Sequence, residues 1–411
     1  MLYYVPLESY KERYTCQWAA PETGWLERNW RKVKLPYTRI EGGAMNYRNI
    51  TTGAVVDAVG RSEFCFNQIN ALLNLAEKGQ ITNSDVVYLD DFWTPGIEAL
   101  PYAFHLLGVR PRVYAFLHAQ SVDEFDFTHP MRQWMRHFEK GIGEFLDGIL
   151  TSCPTLKDLV VYGGIAPASK VHVTGHPFNS QEVMSRMPTW YRLGSSQSDM
   201  RNRSGRDPVV VWSSRWDAEK DPRFFLAVID ELLGVRKVDV TFKVCTSARQ
   251  LKSNDSRLLT ALAECAARHG GHRVQLHANL SKEQYYSHLC SAKIQFNCAL
   301  QDFVPITLQE ASVAGCYPIY PYFRAMPETF QGRTEFMYGH KDVKHAADMI
   351  EDVLARDDLW TKEAIEARSW IHRRLDVSWI RMLKAMGIDH EIPVTPAENK
   401  YLLADPFARV A

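Results

Sequence analysis

The chain alternates, in two successive series, between short β-rich runs and stretches with helical apolar spacing. This alternation is the strongest constraint on its fold. In the first series the β-rich runs are LYYVP (2–6), YTRIE (37–41), VVYLD (86–90), RVYAFLH (112–118) and KVHVT (170–174). Helical patterns lie between them, around 62–78, 95–107 and 130–145, the last opened by Pro130, a residue suited to a first helical turn. Units of this kind predict a parallel sheet covered on both faces.

Residues 179–207 interrupt the alternation. They are polar, rich in Ser and Arg, and carry no sustained apolar period, which predicts a linker or mobile loop. A second series then begins, with VVVWS (209–213), VTFKV (240–244), RVQLH (273–277), KIQFN (293–297) and YPIY (317–320). Helices are expected at about 222–234, 254–269, 281–290 and 307–315. The first has Asp221 as N-cap, Pro222 at N1 and an apolar face of Phe224, Phe225, Val228, Ile229 and Leu232. Ser281 with Gln284 forms a capping box for the third. After 340 the pattern is helical nearly to the end, anchored by Trp370, Trp379 and Leu383. The fold class is therefore α/β, with two doubly wound Rossmann-like domains over 1–178 and 208–375, joined by the 179–207 stretch. Two such domains facing each other leave a cleft at the carboxyl ends of their strands, so functional residues should follow strands directly.

Composition narrows the class further. An apolar share of 46% supports a large core, and no apolar run approaches the roughly 18 residues of a membrane span. The start, MLYYVPLESYKER, has no signal-peptide core. Lys and Arg (48) balance Asp and Glu (48), which argues against a surface built around polyanions but not against a local basic patch. The eight cysteines form no C-x-x-C pair and mostly sit in apolar segments, so free buried thiols and a cytoplasmic location are expected.

Two segments carry candidate chemistry. In VVVWSSRWDAEKDP (209–222), Arg215 and Lys220 follow a strand and precede a helix. Two cations beside a helix N-terminus suit a diphosphate, and the same spacing suits plain solvated loop charges. In NCALQDFVPITLQEASVAGCYPIYP (297–321), Asp302 precedes a helix and Glu310 lies inside it, eight positions on. Both read as acceptors for a hydroxyl-rich ligand, or as a capping acid and a surface charge.

Together these segments resemble the nucleotide-sugar half of GT-B glycosyltransferases, especially the retaining family-4 type. The R-x4-K pair of that family reads Arg215–Lys220 here, and its E-x7-E element reads Asp302–Glu310, followed by EASVAGCYPI with Gly315, Pro318 and Ile319. The likeness covers about 170–330. It implies that Arg215 and Lys220 bind the donor diphosphate and take up charge as the nucleotide leaves. It implies further that Glu310 accepts from the ribose hydroxyls and Asp302 from the transferred sugar, with the backbone at Phe303 and Val304 close by. The first acid is Asp instead of Glu, and the glycines usual around the Phe are replaced in DFVPI. The family also implies a His near the reacting carbon, matching His118, and closing helices (376–411) that return to the first domain. No tightly bound cofactor and no metal are expected; the co-substrate is a nucleotide-sugar, a UDP-sugar above all. The acids of EFD (124–126) would suit a metal, but the two-domain layout outweighs them.

On the acceptor side, Asp90, Asp91 and Trp93 end a strand in VVYLDDFWTPG, where they suit a polar acceptor or cap the next helix. Asp91 is the alternative general base for an inverting reaction. Tyr10 and Arg13 follow the first strand in place of a Gly-rich loop. In WLERNWRKVKLPY, Trp30 is interleaved with Arg28, Arg31 and Lys32, a pattern able to grip a phosphate backbone or to form a solvated helix face. PLESYKERYT with DDFW also resembles, more loosely, tailed-phage glycosyltransferases of DNA hypermodification. That likeness implies a hydroxymethylated pyrimidine in DNA as acceptor, reached at a base edge or flipped out.

Overall fold

The computed structural model describes residues 1–8, 25–33, 36–44, 57–118, 120–126, 128–193, 206–356 and 362–388, with the side chains of 30–33, 193 and 362–368 excepted. It falls into two compact units, Met1–Pro177 with the described part of Arg374–Asp405, and Phe178–Arg373.

The first unit is built on a six-stranded parallel sheet in the order β2-β1-β3-β4-β5-β6. Its strands are β1 (Leu2–Val5), β2 (Tyr37–Arg39), β3 (Val86–Leu89), β4 (Arg112–Leu117), β5 (Gly148–Thr151) and β6 (Val171–Val173). The crossovers include α1 (Trp25–Val33), α2 (Ala58–Glu77), α3 (Ala99–Leu107), α4 (Arg132–Phe145) and α5 (Pro154–Tyr162). β3 and β5 are buried along their whole length, as expected for strands covered on both faces. Sequence patterning missed β5 and α5. The last described helix contributes to this unit from Arg374 onward. Trp379, Leu383 and Met386 pack with Tyr4, Tyr88, Trp25 and Phe116 over one face of the sheet. Trp25 stacks on Trp379 at 5.7 Å, and its indole N–H donates to Asp376 at 2.7 Å. Such a pair adds roughly 0.5–1.5 kcal/mol beyond burial.

The stretch 179–207, expected to be a linker or loop, is partly ordinary secondary structure. Asn179 caps α6 (Ser180–Ser185), α7 (Thr189–Leu193) follows, and Asp207 already opens β7. Arg206 explains why a basic residue stands there. Its guanidinium donates to the carbonyls of Leu289 (3.1 Å), Ala292 (2.8 Å) and Ala314 (2.8 Å), closing the ends of two helices.

The second unit has a six-stranded parallel sheet in the order β12-β11-β10-β7-β8-β9. The strands are β7 (Asp207–Trp212), β8 (Thr241–Cys245), β9 (Val274–His277), β10 (Ala292–Phe296), β11 (Tyr317–Tyr322) and β12 (Met337–Gly339). The helices are α8 (Pro222–Ile229), α9 (Ser256–His269), α10 (Lys282–Ser291), α11 (Ile306–Val313), α12 (Val343–Ala355) and α13 (Lys362–Ala385). The Ser281–Gln284 capping box forms in full. α8 departs from expectation in two ways. Its last turn continues as a π-helix over Asp230–Val235, and Asp221 at the N-cap position is left-handed (φ 54°) with no side-chain cap bond. The Asp221 carboxylate instead pairs with Lys341.

Strand order fixes where a ligand belongs. In the first sheet the chain leaves β1 to one side for β2 and then returns to the other for β3. In the second it moves from β7 outward to β9, then back to β10 on the other flank. The carboxyl ends at these reversals are the switch points of open α/β sheets.

Candidate active site

At the second switch point, the loops after β7 and β10 are neighbours and are laced together. The Leu300 N–H donates to the Glu219 carbonyl at 2.8 Å, and the Cys298 thiol contacts the Lys220 carbonyl at 3.5 Å. Trp216 and Trp212 anchor the first loop in the core. The Trp216 indole donates to the Leu258 carbonyl at 3.0 Å, and buried Asp217 accepts from the Asn254 N–H at 2.7 Å. This scaffold holds Lys220 almost fully buried. Its ammonium donates to the Gln301 carbonyl at 2.6 Å and pairs with Asp302 at 3.3 Å. Arg215 is exposed and pairs with Asp217 at 3.2 Å and Glu219 at 2.5 Å.

Lys220 and Asp302, 82 positions apart, are thus in direct contact. The sequence placed two cations after a strand and before a helix, and in the structure each already holds a carboxylate. Phe303 and Val304 are buried in the turn leading to α11, whose first N–H groups have no intrahelical acceptor.

Glu310, the fifth residue of α11, is 1% exposed. Its Oε1 accepts from Lys282 Nζ at 2.8 Å and from the Tyr286 hydroxyl at 2.9 Å. Tyr285 next door donates its hydroxyl to the Ser213 hydroxyl at 2.9 Å, where β7 has just ended. Burial, and next the Glu310 charge, push the Tyr286 hydroxyl well above its ordinary range, so it stays protonated as a donor. Sequence reasoning missed Lys282, Tyr285 and Tyr286. They sit in an unremarkable KEQYY helix start, and only the packing of α10 on α11 gives them a role.

The first switch point gathers the candidates of the first unit differently than expected. Asp90 does not face outward. It is 1% exposed and accepts from the Tyr4 hydroxyl at 2.6 Å and the Leu7 N–H at 3.3 Å. Burial raises its pKa to about 6, against the lowering effect of the Tyr4 bond. Asp91 pairs with Arg61, which also grips Glu8 through one nitrogen at 2.6 and 2.5 Å. Asp91 accepts from the Trp93 N–H at 3.0 Å as well. Arg61 is 8% exposed; desolvation alone would lower its pKa, but Asp91 and Glu8 raise it on balance. Neither Glu8 nor Arg61 was singled out from sequence, since they lie 53 positions apart.

His118 follows β4, its Nε2 2.8 Å from the Asp90 carbonyl, beside Phe116 and His176. Burial lowers the pKa of His118, and that of His176 further, so both imidazoles are neutral near pH 7. Arg28 is exposed on α1. Tyr10, Arg13 and the side chains of Trp30, Arg31 and Lys32 lie outside the described residues. The Asp126 carboxylate accepts from Thr128 at 2.9 and 2.7 Å, a turn-building role. One described cluster, Asp230, Cys265 and His269, has metal-ligating chemistry, with Arg268 and His269 bonded to the Asp230 carboxylate.

Comparison with solved structures settles the fold. The chain is similar to a UDP-forming α,α-trehalose-phosphate synthase from Burkholderia vietnamiensis, with TM-score 0.59 and 12% identity over 94% of this chain and 98% of that one. It is equally similar to a glycosyltransferase from Rickettsia africae, with TM-score 0.59 and 12% identity over 94% and 97%. This is the GT-B fold. S. aureus TarM shares it at TM-score 0.54, with 12% identity over 79% of this chain and 58% of TarM. Among curated proteins, the chain is 25% identical over 122 residues to a tRNA-queuosine alpha-mannosyltransferase of Drosophila melanogaster. That match spans 29% of this chain and 30% of the relative. No family model matches the chain. No described helix is long and apolar enough to cross a membrane.

Proposed function

We propose that this chain is a nucleotide-sugar-dependent glycosyltransferase that retains anomeric configuration, needs no metal ion, and transfers a hexosyl or pentosyl group to an acceptor hydroxyl. The observation that carries the reading is the contact of Lys220 with Asp302 and the Gln301 carbonyl at the switch point, with buried Glu310 on the helix that follows. Lys220, Arg215 and the α11 N-terminus would receive the diphosphate, and their charge would stabilise it as the bond to the sugar breaks. The acceptor proton would pass to a leaving phosphate oxygen, so the protein supplies position and field without a dedicated base. Asp302 and neutral His118 are assigned to sugar hydroxyls, and Asp91 and Trp93 to the acceptor. The UDP-forming synthases that share the fold support a UDP-sugar as donor. Among the described residues, seven buried free cysteines suit a reducing, cytoplasmic setting.

For the acceptor, we propose a hydroxymethylated pyrimidine in DNA, on the strength of the PLESYKERYT and DDFW segments and the basic aromatic stretch at 25–37. The likeness to a tRNA-queuosine mannosyltransferase favours a second reading, a modified tRNA nucleoside, which shares the demand for a base-borne hydroxyl.

The test is a donor panel with wild type and Lys220→Ala. Wild type should release nucleoside diphosphate, unaffected by EDTA, and the variant should not. If wild type neither binds nor turns over any donor, the enzyme reading falls; loss of activity in EDTA removes metal independence. Mass spectrometry of nucleosides from hydroxymethylated DNA and from queuosine-containing tRNA then decides the acceptor. Adducts on tRNA alone, or on a saccharide alone, would overturn the DNA proposal.

A further inference from the structure

We infer that Lys282 and Tyr286 set the ribose selectivity of the donor site through Glu310, so that a ribonucleoside diphosphate sugar is taken in preference to its 2′-deoxy counterpart. The inference rests on the donor reading given above and concerns residues that reading did not use.

A carboxylate 1% exposed needs compensation, and α10 supplies it from one face. Lys282 and Tyr286, four positions apart and therefore on one side of the helix, both bond to the same oxygen, Oε1 of Glu310. Two bonds to one oxygen fix the plane of the carboxylate as well as its position. The Lys282 ammonium is itself held over the rings of Tyr285 and Tyr286, at 5.5 and 5.6 Å. Tyr285 ties the same helix face to Ser213 at 2.9 Å, at the end of β7. The first turns of α10 thus join the loop that carries Arg215 to the helix that carries Glu310.

A vicinal diol offers two O–H donors in a fixed relative geometry, and a carboxylate of restricted orientation distinguishes two donors from one more sharply than a freely turning one. A 2′-deoxy sugar presents a single donor and leaves part of a buried acceptor unsatisfied. Without Lys282 or Tyr286 the carboxylate can turn, and the difference between two donors and one shrinks. Neither residue touches the reacting bond, so both are positioning residues. Their loss should raise KM for the donor while leaving kcat within about twofold.

The experiment measures binding of UDP, GDP and ADP and their 2′-deoxy forms to wild type, Lys282→Met, Lys282→Arg, Tyr286→Phe and Glu310→Gln, with thermal melts confirming the fold. Wild type should prefer the ribose form of its nucleotide roughly ten- to hundredfold. Glu310→Gln should lose most of that preference. Lys282→Met and Tyr286→Phe should each lower it at least about threefold, and Lys282→Arg should restore part of it. Tyr286→Phe keeps the packing, so it decides the question even if Lys282→Met does not fold. Undiminished preference in folded Tyr286→Phe, with loss in Glu310→Gln, overturns this inference alone. Full preference in Glu310→Gln, or no preference in wild type, overturns the donor reading and this inference with it.

Discussion

Asp90 gives the sharpest quantitative expectation, because burial places a number on it. Its carboxyl is held against Tyr4 and the Leu7 N–H with a pKa of about 6, compared with 3.8 for the free group. The folded state therefore binds this proton more tightly than the unfolded chain between those two values. By linkage, the contribution of Asp90 to stability falls as pH rises through that window and is lowest above pH 6. The difference of about two units corresponds to about 3 kcal/mol between low and neutral pH. About 2 kcal/mol of it is recovered on lowering the pH from 7 to 4.5. Asp90→Asn removes the titration while keeping an oxygen to accept from Tyr4. Urea unfolding of both proteins at several pH values, followed through the transition that the substitution moves, isolates the term from every other carboxylate. The two stability curves should diverge by about 2 kcal/mol between pH 4.5 and 7, with Asp90→Asn relatively more stable at pH 7. Parallel curves would refute the placement of Asp90 in the core and return it to the list of exposed acceptor contacts.

Other perturbations bear on the rest of the molecule. Lys220→Met should lower donor turnover roughly 100- to 1,000-fold, the usual cost of losing one charge-stabilising donor, and a loss under tenfold in a steady-state assay would contradict its role. Arg206→Met removes three guanidinium–carbonyl bonds and should destabilise the second unit by about 2–4 kcal/mol in chemical denaturation. Gly315→Ala should also destabilise it, because its φ of +73° strains an alanine and the new Cβ would stand 2.7 Å from the Arg206 guanidinium; unchanged melting would count against this packing. The thiols of Cys65, Cys245 and Cys316 are each pushed up to about 12 by burial, so a thiol reagent at pH 8 should label at most one of the eight cysteines in the native chain and all of them in denaturant.

Much of the fold was legible because it is written in local periods. All but two of the described strands appear as β-rich runs near their observed positions, the exceptions being Gly148–Thr151 and Met337–Gly339. The capping box at Ser281 is a four-residue signal and forms as read. The 179–207 stretch misled because α6 and α7 are single-turn helices and because Arg206 is polar for a tertiary reason.

The two α/β series, and the charged residues in the loops after β7 and β10, were already present in the local sequence pattern. Those features depend on neighbours a few residues away. Tertiary structure alone decided which charges meet. Lys220 finds Asp302 across 82 positions, Lys282 finds Glu310 across 28, and Arg61 joins Glu8 to Asp91. It also turned Asp90 inward while its neighbour Asp91 stayed at the edge, since successive residues at a strand end point to opposite sides. A buried ion pair is specified by the packing that removes water from both partners, and no local pattern encodes that packing.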